Sequence, residues 1–217
     1  MSRPSKDERK RLRRDAELAQ KDTPATDSLQ FRELTYKQHF GECRSVAHDV
    51  ASMLPHIDVY IFEPREEERE FYTLVTSGLS EFQPKGGFGR NELIFYCKDL
   101  KDEYISMLRN LAHAIIKNGI DAGHGHTLKN GNPPEPLFDK SPLSCVLLHE
   151  TDVEPECDLS DGWEIDNEPV FLLNVMPITQ AECDFIQDND VAEFADLLEE
   201  HPEIDVEIFG GSRKSIV

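Results

Sequence analysis

Apolar and polar positions recur along this chain with two periods, and the two periods divide it into strands and helices. Phe71–Thr76 and Glu92–Cys97 are dense in β-branched and aromatic residues and predict two strands. Between them, Gly78, Pro84 and the run Gly86-Gly87-Phe88-Gly89 cannot continue either strand, so an exposed loop packed on Leu79, Phe82 and Phe88 is expected. Asp58–Glu63 reads as a further strand, joined to Phe71 by a charged turn and therefore its antiparallel neighbour. Leu143–His149 and Val170–Met176 are continuous apolar runs of strand length, the second closed by Pro177. Val206–Phe209 is a candidate last strand.

The helical period is clearest after Cys97. Tyr104, Met107, Leu108, Leu111, Ala112 and Ile115 make one stripe, which predicts a helix from Asp102 to Lys117, stopped by Asn118-Gly119 and buried against a sheet face. Val46, Val50, Met53 and Leu54 suggest another helix from Glu42 to Leu54, ended before Pro55. Phe31–Tyr36 reads as a short opening element. Thr179-x-x-Glu182 and Asp190-x-x-Glu193 fit helix N-termini, and Val191, Phe194, Ala195, Leu197 and Leu198 give the second of these an apolar face. Residues 119–142 are loop with one short strand. Strands interrupted by helices without a βαβ rhythm give an α+β fold, a mixed and largely antiparallel sheet packed against helices.

Composition narrows this picture. A chain of 217 residues fits a charged, mobile N-terminal extension over 1–28 and a single domain over 29–217. No apolar run has the length of a membrane span and no signal peptide opens the chain, so a cytoplasmic protein without membrane contact is expected. Five scattered cysteines with no Cys-x-x-Cys pair argue against a disulfide framework and against a structural zinc site.

Charge is unevenly placed. The first 22 residues hold eight Lys/Arg against five Asp/Glu, whereas the chain total is −20. From Ser141 to Ser212 there is no Lys or Arg and there are twenty Asp/Glu. Such a field repels nucleic acid and anionic membrane and favours a basic partner or a cation; a merely well-solvated surface accounts for it equally.

Enzyme signatures fail on inspection. The Gly86–Gly89 run lacks the Gly-Lys-Ser/Thr ending of a phosphate loop, and it precedes a strand where such a loop feeds a helix. Ser77 sits beside a glycine, but Val75 stands where a nucleophile elbow needs glycine. His124 and His126 are the metal candidates, with His113, His149 or Cys145 as spatial partners, because residues i and i+2 of an extended segment point to one side. Among the many carboxylates, Glu63, Glu92 and Asp121 lie nearest predicted sheet ends, and no pair stands out. The expectation is a non-enzyme without cofactor, with a metal-dependent enzyme using His124 and His126 as an alternative.

Thr76-Ser77-Gly78-Leu79-Ser80, then Gly87-Phe88-Gly89 and Glu92-Leu93-Ile94-Phe95, resemble the opening of the Suppressor of fused domain. The resemblance continues in order through Leu108–Ala112, Gly125-His126-Thr127, Ser141-Pro142-Leu143 with Leu147-Leu148, Phe171-Leu172-x-x-Val175 and Ile178-Thr179-x-x-Glu182. It covers roughly residues 56–217, and the terminal Arg213–Val217 resembles the close of bacterial members. In animals the domain is the N-terminal lobe of a two-lobed regulator that captures a Gli-factor peptide by strand addition. The chain ends where the second lobe would begin, so the resemblance implies the bacterial single-domain branch. It further implies an immunity protein that neutralises a toxin by stoichiometric binding, the acidic half meeting a basic toxin domain. The alternative is a regulatory interaction module without a toxin. The residues expected to carry binding are Gly86, Gly87, Phe88 and Gly89, then Gly125, His126 and Thr127, and Trp163 in the acidic loop 150–168; glycines and a lone histidine in such places also serve the fold.

Overall fold

The computed structural model describes residues 28–49, 56–65, 69–82, 89–151, 153, 163–165 and 168–217. In chain order the elements are α1 (Ser28–Phe40), β1 (Ser45–Ala47), β2 (Asp58–Phe62), β3 (Tyr72–Ser77), a 3-10 turn at Leu79–Glu81, β4 (Arg90–Cys97) and α2 (Asp102–Asn118). They continue with β5 (Thr127–Lys129), β6 (Leu143–Glu150), β7 (Trp163–Ile165), β8 (Glu168–Thr179), α3 (Gln180–Asp188), α4 (Val191–Glu199) and β9 (Ile208–Phe209). The extension assigned to residues 1–28 lies outside the described residues up to Asp27.

The strands form one mixed sheet in the order β1-β2-β3-β4-β8-β6-β5, with β7 added to β8 and β9 to β4. β4 runs parallel to β8 and β9; every other pairing is antiparallel. The central strands are buried on both faces, which explains their near-continuous apolar sequences. Alternate residues Val59, Ile61, Leu74, Leu93 and Phe95 pack against Tyr104, Leu108, Ala112 and Ile115 of α2. Their neighbours Tyr60, Phe62, Val75, Ile94 and Tyr96 face Tyr36 and Phe40 of α1 on the other side. A third cluster, with Leu147, Met176, Ile178, Ile186 and Phe194, lies under α3 and α4.

Local chemistry sets the helix ends as the sequence predicts. α2 closes at Gly119 in the left-handed conformation, whose N–H returns to Ile115 and Ile116. α3 starts from a capping box, Thr179 accepting from the Glu182 amide while the Glu182 carboxylate accepts from Thr179 N. Asp190 caps α4 through the Glu193 amide.

Three expectations are corrected. Val46 belongs to a strand rather than a helix: Ser45, Val46 and Ala47 pair with Ile61, Tyr60 and Val59, and a β-branched residue suits that edge. The rest of that expected helix, from Val50 on, lies outside the described residues. Phe31–Tyr36 belongs to a full helix, α1. β8 runs through Pro177 to Thr179 instead of stopping at Met176. β4 leaves β8 after Asn174, so residues beyond it have β6 alone as a ladder partner, and a proline without an N–H is tolerated there.

Candidate functional site

The Gly125–Thr127 segment leads into the last strand of the sheet order. It turns rather than extends: Gly125 has φ +80°, its N–H donates to Leu148 O at 2.8 Å, and Leu148 N donates to His126 O at 2.8 Å. A β-carbon at Gly125 would lie 3.3 Å from Val191 Cγ1 at the start of α4. Thr127 then begins β5 opposite Leu147, and its hydroxyl accepts a hydrogen bond from Gln187 of α3 at 3.0 Å.

This turn removes the geometry on which joint ligation by His124 and His126 rested, since the two are not on an extended segment. His124 instead meets His149, with ring centroids 4.2 Å apart, and its Nδ1 accepts from Glu150 N at 3.4 Å. Partial burial, then the neighbouring His149, hold the His124 imidazole below the usual histidine range, against the pull of Glu150. His113, offered as a partner, pairs with Asp49 across 2.8 Å on the α2 side of the sheet. Among the described residues no group of three or more His, Cys, Asp or Glu is placed to hold a metal ion.

Gly89 precedes β4 beside Phe171, and Gly86, Gly87 and Phe88 lie outside the described residues. Trp163 is in a strand rather than a loop, its backbone paired with Val170; most of the acidic loop around it lies outside the described residues. The Gly89 and Trp163 backbones therefore flank the start of β8, whereas Gly125 sits beside Leu148, whose partner is Val175. Three strand spacings and several residues of rise separate Gly89 from Gly125, on the order of 20 Å. Among the described residues, those expected to carry binding form two areas: Gly89 with the Trp163 backbone, and Gly125–Thr127.

Of the three carboxylates that the sequence places near sheet ends, Glu92 is the one the fold surrounds with donors. Its side chain is 0% exposed. One carboxylate oxygen accepts from Gly78 N (2.9 Å), Ser80 N (3.1 Å) and the Ser80 hydroxyl (2.7 Å). The other accepts from the Thr76 hydroxyl (2.7 Å) and Leu79 N (3.3 Å). The Thr76–Ser80 motif is thus a turn whose amides and hydroxyls converge on a carboxylate fourteen residues away from its glycine. Arg32 of α1 completes the cluster: its guanidinium lies 4.0 Å from Glu92 and donates to the hydroxyls of Ser77 and Ser80 and to Glu81. Burial pushes the Glu92 carboxyl up, while Arg32 and then the donors pull it back. Tyr36 OH donates to Thr76 O at 2.6 Å beside it, and burial drives that phenol well above its usual range. The arrangement satisfies every charge and polar group with protein partners, which makes it a brace for the fold.

Glu182 repeats the device at the other end of the sheet. It is 0% exposed, takes part in the α3 capping box, and accepts from Arg213 and from Ile216 N. Beyond it, α3 and α4 present Asp188, Asp190, Glu193, Asp196, Glu199 and Glu200 to solvent without a basic residue in either helix.

Comparison with known proteins agrees with this architecture. The family model for the Suppressor of fused protein (SUFU) matches residues 54–208, more than half of the chain. No curated protein matches the sequence. A SUFU homologue from Neisseria gonorrhoeae FA 1090 superposes with TM-score 0.65 at 22% identity, covering 88% of this chain and 97% of its own. The structure of a Sufu–Fu complex aligns at TM-score 0.66 and 11% identity, over 89% of this chain and 93% of the other. Drosophila Suppressor of Fused aligns at TM-score 0.53 and 13% identity; this chain spans 42% of its length. These structural likenesses establish the fold. No helix among the described residues is long and apolar enough to cross a membrane.

Proposed function

This chain belongs to the Suppressor of fused family, and we propose that it works by stoichiometric protein binding, as an immunity protein that neutralises a basic toxin domain. The reading is carried by the exposed acids of α3 and α4, which face solvent over two adjacent helices with no Lys or Arg between them. A basic partner gains rate and specificity from such a face, because complementary potentials steer encounter and penalise wrong partners. The relative solved as a Sufu–Fu complex supports protein binding as the mode of action. A soluble cytoplasmic site of action, and the absence of catalysis, belong to the same reading.

The test combines capture with charge reversal. Tagged protein drawn from its native lysate is expected to bring down one dominant basic partner at near-equal amount. The triple variant Glu193→Lys, Asp196→Lys, Glu199→Lys is expected to lose it while keeping a native far-UV spectrum. A partner without basic character, retained by the triple variant, would replace the toxin reading with that of a regulatory module.

A further inference from the structure

Cys145 of β6 and Cys183 of α3 are both 0% exposed and belong to the same apolar cluster. Two contacts tie α3 across this end of the sheet, and a third within α3 reaches Cys183. Lys129 Nζ donates to Asp184 at 2.7 Å, Gln187 Nε2 donates to the Thr127 hydroxyl at 3.0 Å, and the same amide donates to Cys183 Sγ at 3.4 Å. Lys129 is the ladder partner of Cys145, and Thr127 that of Leu147, so alternate residues of β5 and β6 share the face beneath α3. Cys183 thereby comes down onto the face of β6 that carries Cys145, within the same buried cluster. Of the described cysteines these two alone share a cluster; Cys97 lies in the separate α2 cluster and Cys43 packs against the α1 cluster.

We propose that Cys145 and Cys183 are a redox-active dithiol that closes to a disulfide under a peroxide oxidant, with Cys183 attacking first and Cys145 resolving. The Cys183 thiolate takes one oxygen of the peroxide as the O–O bond breaks, giving a sulfenic acid and hydroxide. The Cys145 sulfur then attacks the Cys183 sulfur, the S–O bond breaks, and the hydroxyl leaves as water. The Cys145 proton goes to that leaving hydroxyl, and the hydroxide released in the first step takes up the proton that Cys183 lost on ionising, forming the second water. The pair loses two electrons and the peroxide gains them.

The surroundings divide these roles. Cys183 Sγ accepts from the Gln187 amide at 3.4 Å, and the neighbouring Cys145, then Thr127 and Lys129, hold its thiol below the ordinary range against the opposing pull of burial. Cys145 is raised, its proton being held by Cys183 and its sulfur desolvated. In this proposal the peroxide enters beside Gln187, which is exposed and whose amide donates to Cys183 Sγ. The resulting link joins α3 to β6 beside the Gly125–Thr127 turn.

The full chain treated with hydrogen peroxide, then digested without reductant, is expected to give one cross-linked peptide pair, Cys145 with Cys183, reversed by dithiothreitol. Cys145→Ser is expected to leave Cys183 as a sulfenic acid trapped by dimedone, and Thr127→Val to slow cross-linking several-fold. Because wild-type mapping needs no variant to fold, the idea is exposed directly. A linkage that prefers Cys43 or Cys157, or conversion of Cys183 to sulfinic acid without linkage, would overturn it. So would an unchanged Cys183 when Cys43 is fully oxidised.

Discussion

Replacing Arg32 by methionine tests whether the buried cluster at Glu92 holds the fold together. The arginine is 2% exposed and the glutamate 0% exposed, so neither charge has water to fall back on. Methionine fills the volume of the aliphatic stem and removes the countercharge 4.0 Å from Glu92 together with the donors to Ser77 and Ser80. Leaving a buried charge uncompensated costs about 3–5 kcal/mol, whereas the Glu81 contact is half-exposed and contributes little. Urea denaturation at neutral pH is expected to show that loss. The pH dependence gives a second readout. Without Arg32, the Glu92 carboxyl rises further above its unfolded value, because the largest opposing influence is gone. A raised carboxyl means that the folded state binds more protons than the unfolded state between the two values. Stability of the variant should therefore fall as pH rises through that window, and acidification from neutral should narrow its deficit against wild type. The double variant Arg32→Met, Glu92→Gln should cost less than the sum of the singles. A deficit below about 1 kcal/mol, the same at both pH values, would refute the account.

The remaining predictions address other joints of the structure. Gly78 has φ +127° and a β-carbon there would lie 2.1 Å from His56 O, so Gly78→Ala should cost more than about 2 kcal/mol in urea unfolding. His124 is held below its unfolded value, so folding disfavours its protonation. Stability should fall as pH drops through the ordinary histidine range, and His124→Gln should remove part of that slope. Arg213→Met leaves the buried Glu182 without its partner and should lower stability by about 3 kcal/mol, with proteolysis beginning at the C-terminal segment.

What the sequence made legible was whatever its hydrophobic period or cap chemistry encodes. α2 shows an apolar stripe and a terminal glycine, and these bound it to within a residue of its observed span. β6 and the first part of β8 read as buried strands because both their faces are covered. α1 was cut short for the opposite reason. Among its residues with described burial, the buried ones are Arg32, Thr35, Tyr36 and Phe40, a helical spacing whose first two members are polar and give no apolar signal. Glu92 was seen as one acid among many: a carboxylate that accepts from a distant turn leaves no local signature. The order of Thr76-Ser77-Gly78-Leu79-Ser80 and Glu92 was visible as a motif, but its physical content, donors around a carboxylate, needed the fold. The two histidines failed as a pair because Gly125 turns the chain between them.

The two buried glutamates together explain what counts as the domain. The family match spans residues 54–208, yet each glutamate takes its arginine from outside that segment: Arg32 from α1 before it and Arg213 from the tail after it. Each glutamate also gathers backbone amides of a turn or helix start, the Gly78–Ser80 turn for Glu92 and Thr179 for Glu182. An acid that accepts local amides and a distant guanidinium at once couples the local turn to the flanking segment: neither is fully satisfied without the other. The matched segment alone would bury two carboxylates without countercharge, at a cost comparable to the whole stability of a typical domain. The two arginines thus tie α1 and the C-terminal segment to the buried carboxylates of the matched segment. They fix the sheet ends beside which the Gly125 turn and the acidic helices are displayed.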